Sequence, residues 1–316
     1  MTTLGFTLSD AMAPTAFLTK PDLLDHLNVP VEPNAPLGAR TWYRCGGHAA
    51  LLAKPATTAQ LSALIELCND QMVPVYVMGG GANLLVRDSG VDGVVVRLDD
   101  DAFKQIRIEG TTLTAGPGVD LFTLVSATCK AGLSGLAHIA GIPGTVGGAV
   151  RMNAGGAYGD IGESVSRVQL MSAEGQVYYR DRDDLSFAYR RTNIVAPFIL
   201  DVSFELAEDD PAELNQRMRE IFMFKKTSQP MGDKSAGCTF KNPPRDVAPP
   251  AGKLIDEAGL KGRTVGQASV SEVHANFIVA EPGCAADDVI RLMDEVSSEV
   301  RDKFDVSLER EVVVWP

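Results

Sequence analysis

The sequence predicts an α+β protein built from two or three packed subdomains. Its 316 residues exceed the length at which a single hydrophobic core usually stops growing. Hydrophobic residues make up 45% and charged residues 22% of the chain, which are ordinary values for a folded globular protein. Segments with an apolar residue at every third or fourth position are interspersed with short apolar runs and glycine-rich turns. This mixture predicts helices and strands in each part of the chain.

The first subdomain is predicted over residues 36–98, after an N-terminal arm of residues 1–35 with little periodicity. Its helix signal is a capping threonine followed by apolar residues at helical spacing. The residues concerned are Thr57 or Thr58 for the cap, then Leu61, Leu64, Ile65 and Cys68. A buried strand from Val73 and a strand over residues 94–98, behind an expected turn at Asp92 and Gly93, complete this unit.

The second subdomain is predicted over residues 99–206 and begins with a hairpin that turns at Glu109 and Gly110. A helix opened by Asp120 follows it, and then a long glycine-rich loop. Further strands are predicted over residues 168–171, 177–179 and 198–206.

The third subdomain is predicted over residues 211–316. Asp210 and Pro211 favour the start of a helix that reaches Lys226. Its inward residues are expected to be Leu214, Met218, Ile221 and Phe222. A later long helix has a stripe formed by Val289, Leu292, Met293, Val296 and Val300, and a last strand is predicted over residues 307–315.

The composition excludes several classes of protein. The formal net charge of −12 disfavours nonspecific binding to nucleic acid or to an anionic membrane. The chain has no run of about 18 apolar residues and no secretion signal pattern, so a cytoplasmic location is expected. A disulfide framework or a metal site is not expected, because the cysteines are odd in number and widely spaced. They are Cys45, Cys68, Cys129, Cys238 and Cys284.

Two glycine-rich runs carry most of the functional information. The run GGGANLL at residues 79–85 follows a predicted strand, where glycines let backbone N–H groups converge on an anion such as a diphosphate. It matches neither the Rossmann nor the Walker pattern. Taken alone, such a run after a strand is a simple tight turn about half the time. The run GIPGTVGGAVRMNAGGAYG at residues 141–159 also contains apolar residues that are unsuited to a flexible surface loop.

Together with further segments, these runs resemble the UDP-N-acetylenolpyruvoylglucosamine reductase family of bacterial peptidoglycan synthesis. The other segments are LSFAYRRT from Leu185, SAGCTFKNP from Ser235, AGKLIDEAGLKG from Ala251, SEVHANFIV from Ser271 and LEREVVVW from Leu308. The resemblance covers roughly residues 36–315, and the segments follow one another in the same order as in the family. It implies an FAD-binding fold of the vanillyl-alcohol-oxidase type in two subdomains, followed by an α+β substrate-binding domain.

The resemblance also implies which residues hold the cofactor. Backbone amides of the first glycine run would bind the FAD diphosphate, and the second run would line the cofactor. The residues expected there are Tyr43, Gly79, Gly80, Gly81, Ala82, Asn83, Leu84, Gly141, Ile142, Pro143, Gly144, Thr145, Gly147, Gly148, Asn153, Ala154 and Gly155. In this family NADPH reduces FAD and leaves, and UDP-N-acetylglucosamine enolpyruvate then takes its place.

Three residues match the catalytic positions of the family. Reduction of an enol ether by hydride from flavin N5 leaves negative charge beside a carboxylate, so the site needs cationic donors and an acid. Arg190 and Glu311 match the residues that polarise the carboxylate, and we expect the pKa of Glu311 to be raised. Cys238 occupies the position where most relatives carry a proton-donating serine. An ordinary thiol has a pKa near 8.5 and remains protonated at neutral pH, so the role is compatible with cysteine.

The resemblance assigns further residues to the substrate and identifies a branch. The expected substrate contacts are Tyr158, Tyr189, Lys241, Asn242 and His274. Between Arg190 and Cys238 there is no room for the tyrosine-bearing loop that one branch folds over its substrate. The short-loop branch is therefore the better match, and another segment must close the site. A monomer is expected.

Two alternatives remain open at this point. One is an FAD-dependent oxidase of the same fold, which is less favoured because the matched segments continue through the third subdomain. The other is a protein that binds flavin or a sugar nucleotide but has lost its proton donor at Cys238. Arg190 and Glu311 argue against this second alternative.

Overall fold

The structure, a computed structural model, describes residues 26–316. Most of the expected N-terminal arm lies outside these residues, but its end at residues 31–36 forms the first strand. The first unit consists of β1 (Val31–Pro36), β2 (His48–Ala53), α1 (Thr58–Asp70), β3 (Val75–Val77), β4 (Leu84–Val86) and β5 (Val91–Val96). A four-stranded sheet has the order β1-β2-β5-β3, and β1 with its two prolines lies at the edge, where lost N–H donors are tolerated.

The predicted helix of the first unit is confirmed, whereas the predicted turn after it is wrong. Thr57 caps α1 by accepting from the backbone of Gln60, and the four predicted apolar residues are buried. Asp92 and Gly93 lie inside β5, and the chain turns instead at Gly90, which has a φ of +79°. A Cβ on Gly93 would stand 2.5 Å from the Pro74 carbonyl oxygen, so this glycine serves close strand packing.

The second unit contains a five-stranded antiparallel sheet in the order β12-β11-β15-β7-β6. The hairpin turn at Gly110 and the Asp120 cap are confirmed. The elements of this unit are β6 (Ile106–Glu109), β7 (Thr112–Ala115), α2 (Leu121–Lys130), β8 (Leu133–Ser134), α3 (Val146–Arg151), β9 (Gly155–Gly156), β10 (Gly159–Asp160), β11 (Val165–Met171), β12 (Val177–Asp181), β13 (Phe187–Ala188), β14 (Arg191–Thr192), β15 (Phe198–Glu205) and β16 (Ala207–Glu208).

The glycine-rich run at residues 141–159 is more ordered than the predicted loop. It contains the short helix α3 and the two-stranded ribbon of β9 and β10. Val146, Ala149 and Val150 are buried in the core of the second unit. The apolar residues between the glycines therefore fold onto the sheet as a short helix.

The third unit begins with a long helix and ends on a strand that returns to the first unit. Its elements are α4 (Pro211–Ser228), α5 (Ala251–Glu257), β17 (Thr264–Val265), β18 (Ala268–Val270), β19 (Ile278–Ala280), α6 (Ala286–Phe304) and β20 (Val313–Trp315). The five predicted residues of the α6 stripe are buried. The last strand is shorter than predicted, and it pairs in parallel with β4.

The helix α4 starts as predicted, with an Asp210 cap and Pro211 in the first turn. Leu214 and Ile221 are buried, but Phe222 is exposed and the prediction for this residue is wrong. The reason is helical periodicity, because the stripe continues from Ile221 to the residue four positions later. That residue is Lys225, which is buried.

Hydrophobic cores cross the predicted domain boundaries. Leu214 and Ile221 of α4 pack in the core of the second unit. Tyr43 and Leu85, which precede residue 98, pack in the core of the third unit. The division of the chain at residues 98 and 206 thus remains a prediction. Within the part of the chain that the structure describes, no helix is long and apolar enough to cross a bilayer.

Candidate active site

A buried ion pair joins the second unit to the C-terminal segment. Arg190 lies in the two-residue turn between β13 and β14, with a φ of +53° that is uncommon for a residue other than glycine. Its Nε donates to Glu311 Oε1 at 2.5 Å, and its Nη2 donates to the Gly155 carbonyl at 2.8 Å. The side chains of Arg190 and Glu311 are 14% and 12% exposed. Because both side chains are buried, removal of either one would leave an uncompensated buried charge, which is not the case for a surface salt bridge.

One donor of the guanidinium remains free for a ligand. Arg190 Nη1 is buried and makes no hydrogen bond within residues 26–316, although Asp160 Oδ1 lies 3.6 Å away. The guanidinium also packs over the ring of Tyr189, at 5.0 Å from the ring centre. A buried unpaired donor is costly in a folded protein. Its presence fits a site in which an anionic group of a ligand accepts a hydrogen bond from Arg190 Nη1.

Glu311 is held by the loop that carries the first glycine run. Its carbonyl accepts from Asn83 Nδ2 at 3.0 Å, and its N–H donates to the Thr239 carbonyl at 2.8 Å. Burial raises the pKa of Glu311, whereas Arg190 acts in the opposite direction. The raised pKa was expected, but its main cause is burial. Glu309, by contrast, is 73% exposed and bonds Lys241, so it takes no part in this cluster.

Cys238 lies beside the ion pair on a loop that one asparagine holds in place. Asn276 is buried, accepts from the Phe240 N–H at 3.0 Å and donates to the Phe240 carbonyl at 2.8 Å. Its own carbonyl accepts from the Thr239 N–H at 2.7 Å. Sequence reasoning did not identify Asn276 as a site residue. The available signal was an asparagine within SEVHANFIV, between residues suited to burial.

The thiol of Cys238 is a weaker acid than the sequence suggested. Burial, with a smaller contribution from the negative charge of Glu311, raises its pKa to about 12. The sequence offers only the pKa of an ordinary thiol, near 8.5, and does not reveal this effect of burial. The thiol is therefore protonated throughout the neutral range and keeps its proton available. It is also a poor nucleophile, because the thiolate is the reactive species.

The two glycine runs meet and form one cradle. A Cβ on Gly79 would lie 2.7 Å from Thr145 Oγ1, and one on Gly80 would lie 3.2 Å from the Cα of Gly144. Gly81 has a φ of +66° and its Cβ would stand 2.6 Å from the Arg40 carbonyl oxygen. Each run therefore requires glycine where the other run or the chain beside it approaches.

A cleft of about 230 Å³ opens beside this contact. Four predicted cofactor residues line it, namely Gly79, Thr145, Gly147 and Gly148. Sequence reasoning missed its other lining residues, among them Arg97, Asp99, Lys104, Arg151, Pro197 and Ile199. Arg97, Lys104 and Arg151 bring positive charge to a glycine cradle, which suits a ligand that carries a diphosphate in a protein whose net charge is negative. Arg97 also pairs with Asp99 at 3.2 Å, and Arg151 donates to the Ile194 and Pro197 carbonyls. The residues present thus fit FAD.

Several predicted cofactor residues lie within the protein framework. Tyr43 is buried in the core of the third unit, where burial raises the pKa of its hydroxyl. The Asn153 amide accepts from the Gly162 N–H and donates to the Ala188 carbonyl, which fixes the hairpin of Arg190. Of the remaining residues, Leu84 is buried, and Ile142 and Ala154 pack against the core of the second unit. Ala82 lies next to Gly144, and Pro143 lies in the turn before Gly144.

The predicted substrate residues lie on the second and third units. The Tyr189 hydroxyl accepts from the Asn242 N–H at 3.1 Å, and Asn242 Oδ1 accepts from the first residue of α5. Lys241 bonds Glu309 at 2.6 Å. His274 Nδ1 accepts from the Asn276 N–H at 3.2 Å, and burial lowers the pKa of His274. Tyr158 is exposed at the tip of the ribbon formed by β9 and β10, with its ring edge-on to Phe224.

Comparison with known proteins agrees with this geometry. A model of the FAD binding domain matches residues 49–179, and a model of the UDP-N-acetylenolpyruvoylglucosamine reductase C-terminal domain matches residues 229–315. UDP-N-acetylenolpyruvoylglucosamine reductase 2 of Symbiobacterium thermophilum is 40% identical over 282 residues, which are 89% of this chain and 90% of that protein. The reductase of Desulfosudis oleivorans is 40% identical over 298 residues, 90% and 94% of the two chains.

A solved structure has the same fold along nearly the whole chain. The crystal structure of UDP-N-acetylenolpyruvylglucosamine reductase (MurB) from Thermus caldophilus superimposes with a TM-score of 0.78 at 36% identity. The match covers 92% of this chain and 99% of that one. The predicted α+β fold, with an FAD-binding domain followed by a distinct C-terminal domain, is confirmed.

Proposed function

The chain belongs to the UDP-N-acetylenolpyruvoylglucosamine reductase family, and from this premise we propose that it reduces UDP-N-acetylglucosamine enolpyruvate to UDP-N-acetylmuramate. The electrons come from NADPH through bound FAD, and the product enters peptidoglycan synthesis. The single observation that carries the proposal is the cluster of Arg190, Glu311 and Cys238 beside the glycine cradle. The cluster combines a carboxylate-binding cation, a buried acid and a protonated thiol.

Bound FAD supplies the hydride for the terminal carbon of the enolpyruvyl double bond. Negative charge then develops on the neighbouring carbon and on the substrate carboxylate. The free Nη1 donor of Arg190 is available to that carboxylate, and a guanidinium binds a planar carboxylate better than a point charge does. Glu311, with its raised pKa, balances the arginine and in its protonated form donates a second hydrogen bond.

The Cys238 thiol supplies the proton that completes the reduction. Its raised pKa keeps it protonated before each turnover and makes the thiolate a strong base afterwards, which regains its proton from solvent. The Asn276 clamp on the neighbouring backbone holds the thiol in position. A positioned acid of this kind contributes about 10²- to 10⁴-fold to the rate.

The cofactor and substrate residues belong to the same proposal. The cradle formed by residues 79–84 and 141–148 binds the FAD diphosphate through backbone N–H groups, and the cations of the cleft add charge. Tyr158, Tyr189, Lys241, Asn242 and His274, which come from the second and third units, would contact the sugar nucleotide. A monomeric state and a cytoplasmic location remain predictions from the sequence.

The reductase activity is favoured over the alternatives raised by the sequence. An oxidase would share the FAD-binding domain, but the match of residues 229–315 to the reductase C-terminal domain supports the sugar-nucleotide substrate. The inactive alternative assumed that the proton donor had been lost at Cys238. The protonated state of Cys238 supports a working acid at the serine position.

Anaerobic single-turnover spectroscopy tests the proposal. NADPH added without oxygen should bleach the flavin absorbance, and UDP-N-acetylglucosamine enolpyruvate should then restore it with formation of one UDP-N-acetylmuramate per flavin. UDP-N-acetylglucosamine, which lacks the enolpyruvyl group, is the control and should leave the flavin reduced. Recovery of the oxidised flavin only on admission of oxygen would instead support an oxidase.

A further inference from the structure

A buried lysine occupies the core-facing stripe of α4. Leu214, Met218 and Ile221 point inward at helical spacing, and Lys225 continues the same stripe although it is only 8% exposed. Lysine is almost never buried to this extent without a charged partner. Within residues 26–316, Lys225 Nζ donates its hydrogen bond not to a carboxylate but to the Ala140 carbonyl, at 2.6 Å.

Ala140 directly precedes the second glycine run. Gly141 has a φ of +75°, and a Cβ there would stand 3.2 Å from Lys225 Cδ and 3.4 Å from Phe222 Cδ2. The aliphatic part of the Lys225 side chain thus packs against the turn at Gly141, while its ammonium donates to the Ala140 carbonyl. Three residues further on, Gly144 is the residue against which Gly80 packs.

We propose that Lys225 is a positioning residue of the cofactor site, whose ammonium fixes the 141–148 run against the 79–81 run through the Ala140 carbonyl. The inference rests on the proposed FAD site but not on the substrate. Burial of an ammonium without a counter-ion costs free energy, so a purely structural position in this stripe would be filled better by leucine or methionine. The charge-assisted hydrogen bond to the Ala140 carbonyl offsets part of that cost.

The electrostatic surroundings make the charge of Lys225 sensitive to pH. Burial, and then the positive charge of Arg190, lowers the pKa of Lys225 to about 8. Arg190 is the charged group that faces the lysine. His138, on the same short turn as Ala140, faces Asp160, Glu163 and Arg217 instead. The ammonium form of Lys225, which makes the charge-assisted bond to the Ala140 carbonyl, is therefore lost as the pH rises through its pKa of about 8.

FAD binding to the apoprotein, measured by quenching of flavin fluorescence, tests the role. Lys225→Met should weaken FAD binding about 10- to 100-fold, because a buried carbonyl loses its donor. Lys225→Gln restores a neutral donor and should fall between this variant and the wild type. Lys226→Met is the matched control, since Lys226 is exposed on the same turn, and should bind within about twofold of the wild type. Wild-type affinity in a folded Lys225→Met protein would overturn the proposal.

A pH series provides a second readout that packing alone would not change. In the wild type, FAD affinity should fall severalfold between pH 7 and about 9.5, as the ammonium loses its proton. In Lys225→Arg the guanidinium stays charged, and the affinity should remain flat across the same range. Parallel profiles for the two proteins would contradict the proposal, even if Lys225→Met failed to fold. Neither readout depends on turnover, so the reductase proposal stands or fails separately.

Discussion

The glycine cradle and the Arg190 cluster are neighbours in the molecule but are constructed in opposite ways. The cradle uses backbone from two compact runs, and glycines are required there because the chains touch. The cluster uses side chains from three distant segments, each held by a different contact: a strained turn for Arg190, Asn276 for the Cys238 loop, and Asn83 for Glu311.

This difference determines how each part responds to mutation. A backbone cradle tolerates changes of side chain but not an added Cβ, and its failure should appear as loss of cofactor and stability. A side-chain cluster tolerates small structural shifts poorly, and its failure should appear in the reaction of the substrate. The two half-reactions, reduction of FAD by NADPH and its reoxidation by substrate, therefore separate the two parts.

The largest effect is expected at Cys238. Cys238→Ala should lower the rate of substrate reduction by roughly two to four orders of magnitude, because the positioned acid is removed. Cys238→Ser should retain substantial activity, since a hydroxyl occupies the same position. Stopped-flow measurement of each half-reaction checks both, with NADPH oxidation by the flavin as the internal control. A fast second half-reaction in the alanine variant would exclude Cys238 as the proton donor.

Arg190→Lys should come next, with about a 100-fold loss in the rate of substrate reduction. A point charge replaces a fork that bonds Glu311, Gly155 and the proposed carboxylate, so turnover should suffer more than substrate binding. Steady-state kinetics and single turnovers measure the split between kcat and KM. Equal damage to the NADPH half-reaction would mean that Arg190 supports the fold or the cofactor instead.

A glycine of the cradle should produce a different kind of defect. Gly81→Ala forces a positive φ on alanine and brings its Cβ against the Arg40 carbonyl, which should destabilise the protein by about 1–3 kcal/mol and release FAD. Gly156→Ala is the matched control, because a Cβ there meets nothing within 4 Å. Urea unfolding and retained flavin after gel filtration measure both effects. A stable Gly81→Ala protein with full flavin content would show that the cradle is not rigid.

The smallest effects concern pH. A thiol with a pKa of about 12 should not ionise below pH 10, so substrate reduction should show no alkaline loss from Cys238 in that range. Slow reaction with iodoacetamide should accompany this, contrary to what an ordinary thiol predicts. Measured rates between pH 7 and 10, with Cys238→Ser for comparison, check the first point. A loss near pH 8.5 in the wild type alone would contradict it.

The same shift has a sign for stability. The folded pKa of Cys238 lies above the unfolded value of 9.0, so its contribution to stability is present below pH 9 and is lost as the pH rises towards 12. Wild type should therefore lose stability relative to Cys238→Ser between pH 9 and 11. Urea titrations of the two proteins at several pH values measure the difference. A constant difference would indicate that folding does not raise the pKa of the thiol.

Local pattern was sufficient for elements that are stabilised by their own residues. The caps at Thr57, Asp120 and Asp210 and the stripe of α6 follow from hydrogen bonds and spacing within a few residues. Where a distant chain decides, the same reasoning failed. Asp92 and Gly93 have turn chemistry, yet they lie within β5, which pairs with β2 and β3. The glycine is needed there because Pro74 approaches too closely for any side chain.

The residue types of this site can be read from the chain, whereas its electrostatics arise from the packing of distant segments. Glycine runs and the residue types of Arg190, Glu311 and Cys238 are visible in the chain, because chemistry restricts which residues serve there. The raised pKa of Cys238, the free Nη1 of Arg190 and the inward position of Lys225 are not visible. Each depends on burial and on charges brought together by the parallel pairing of β20 with β4 and by α4 packing on the second unit. A pKa reflects the environment of a group, and that environment exists only once distant segments have packed.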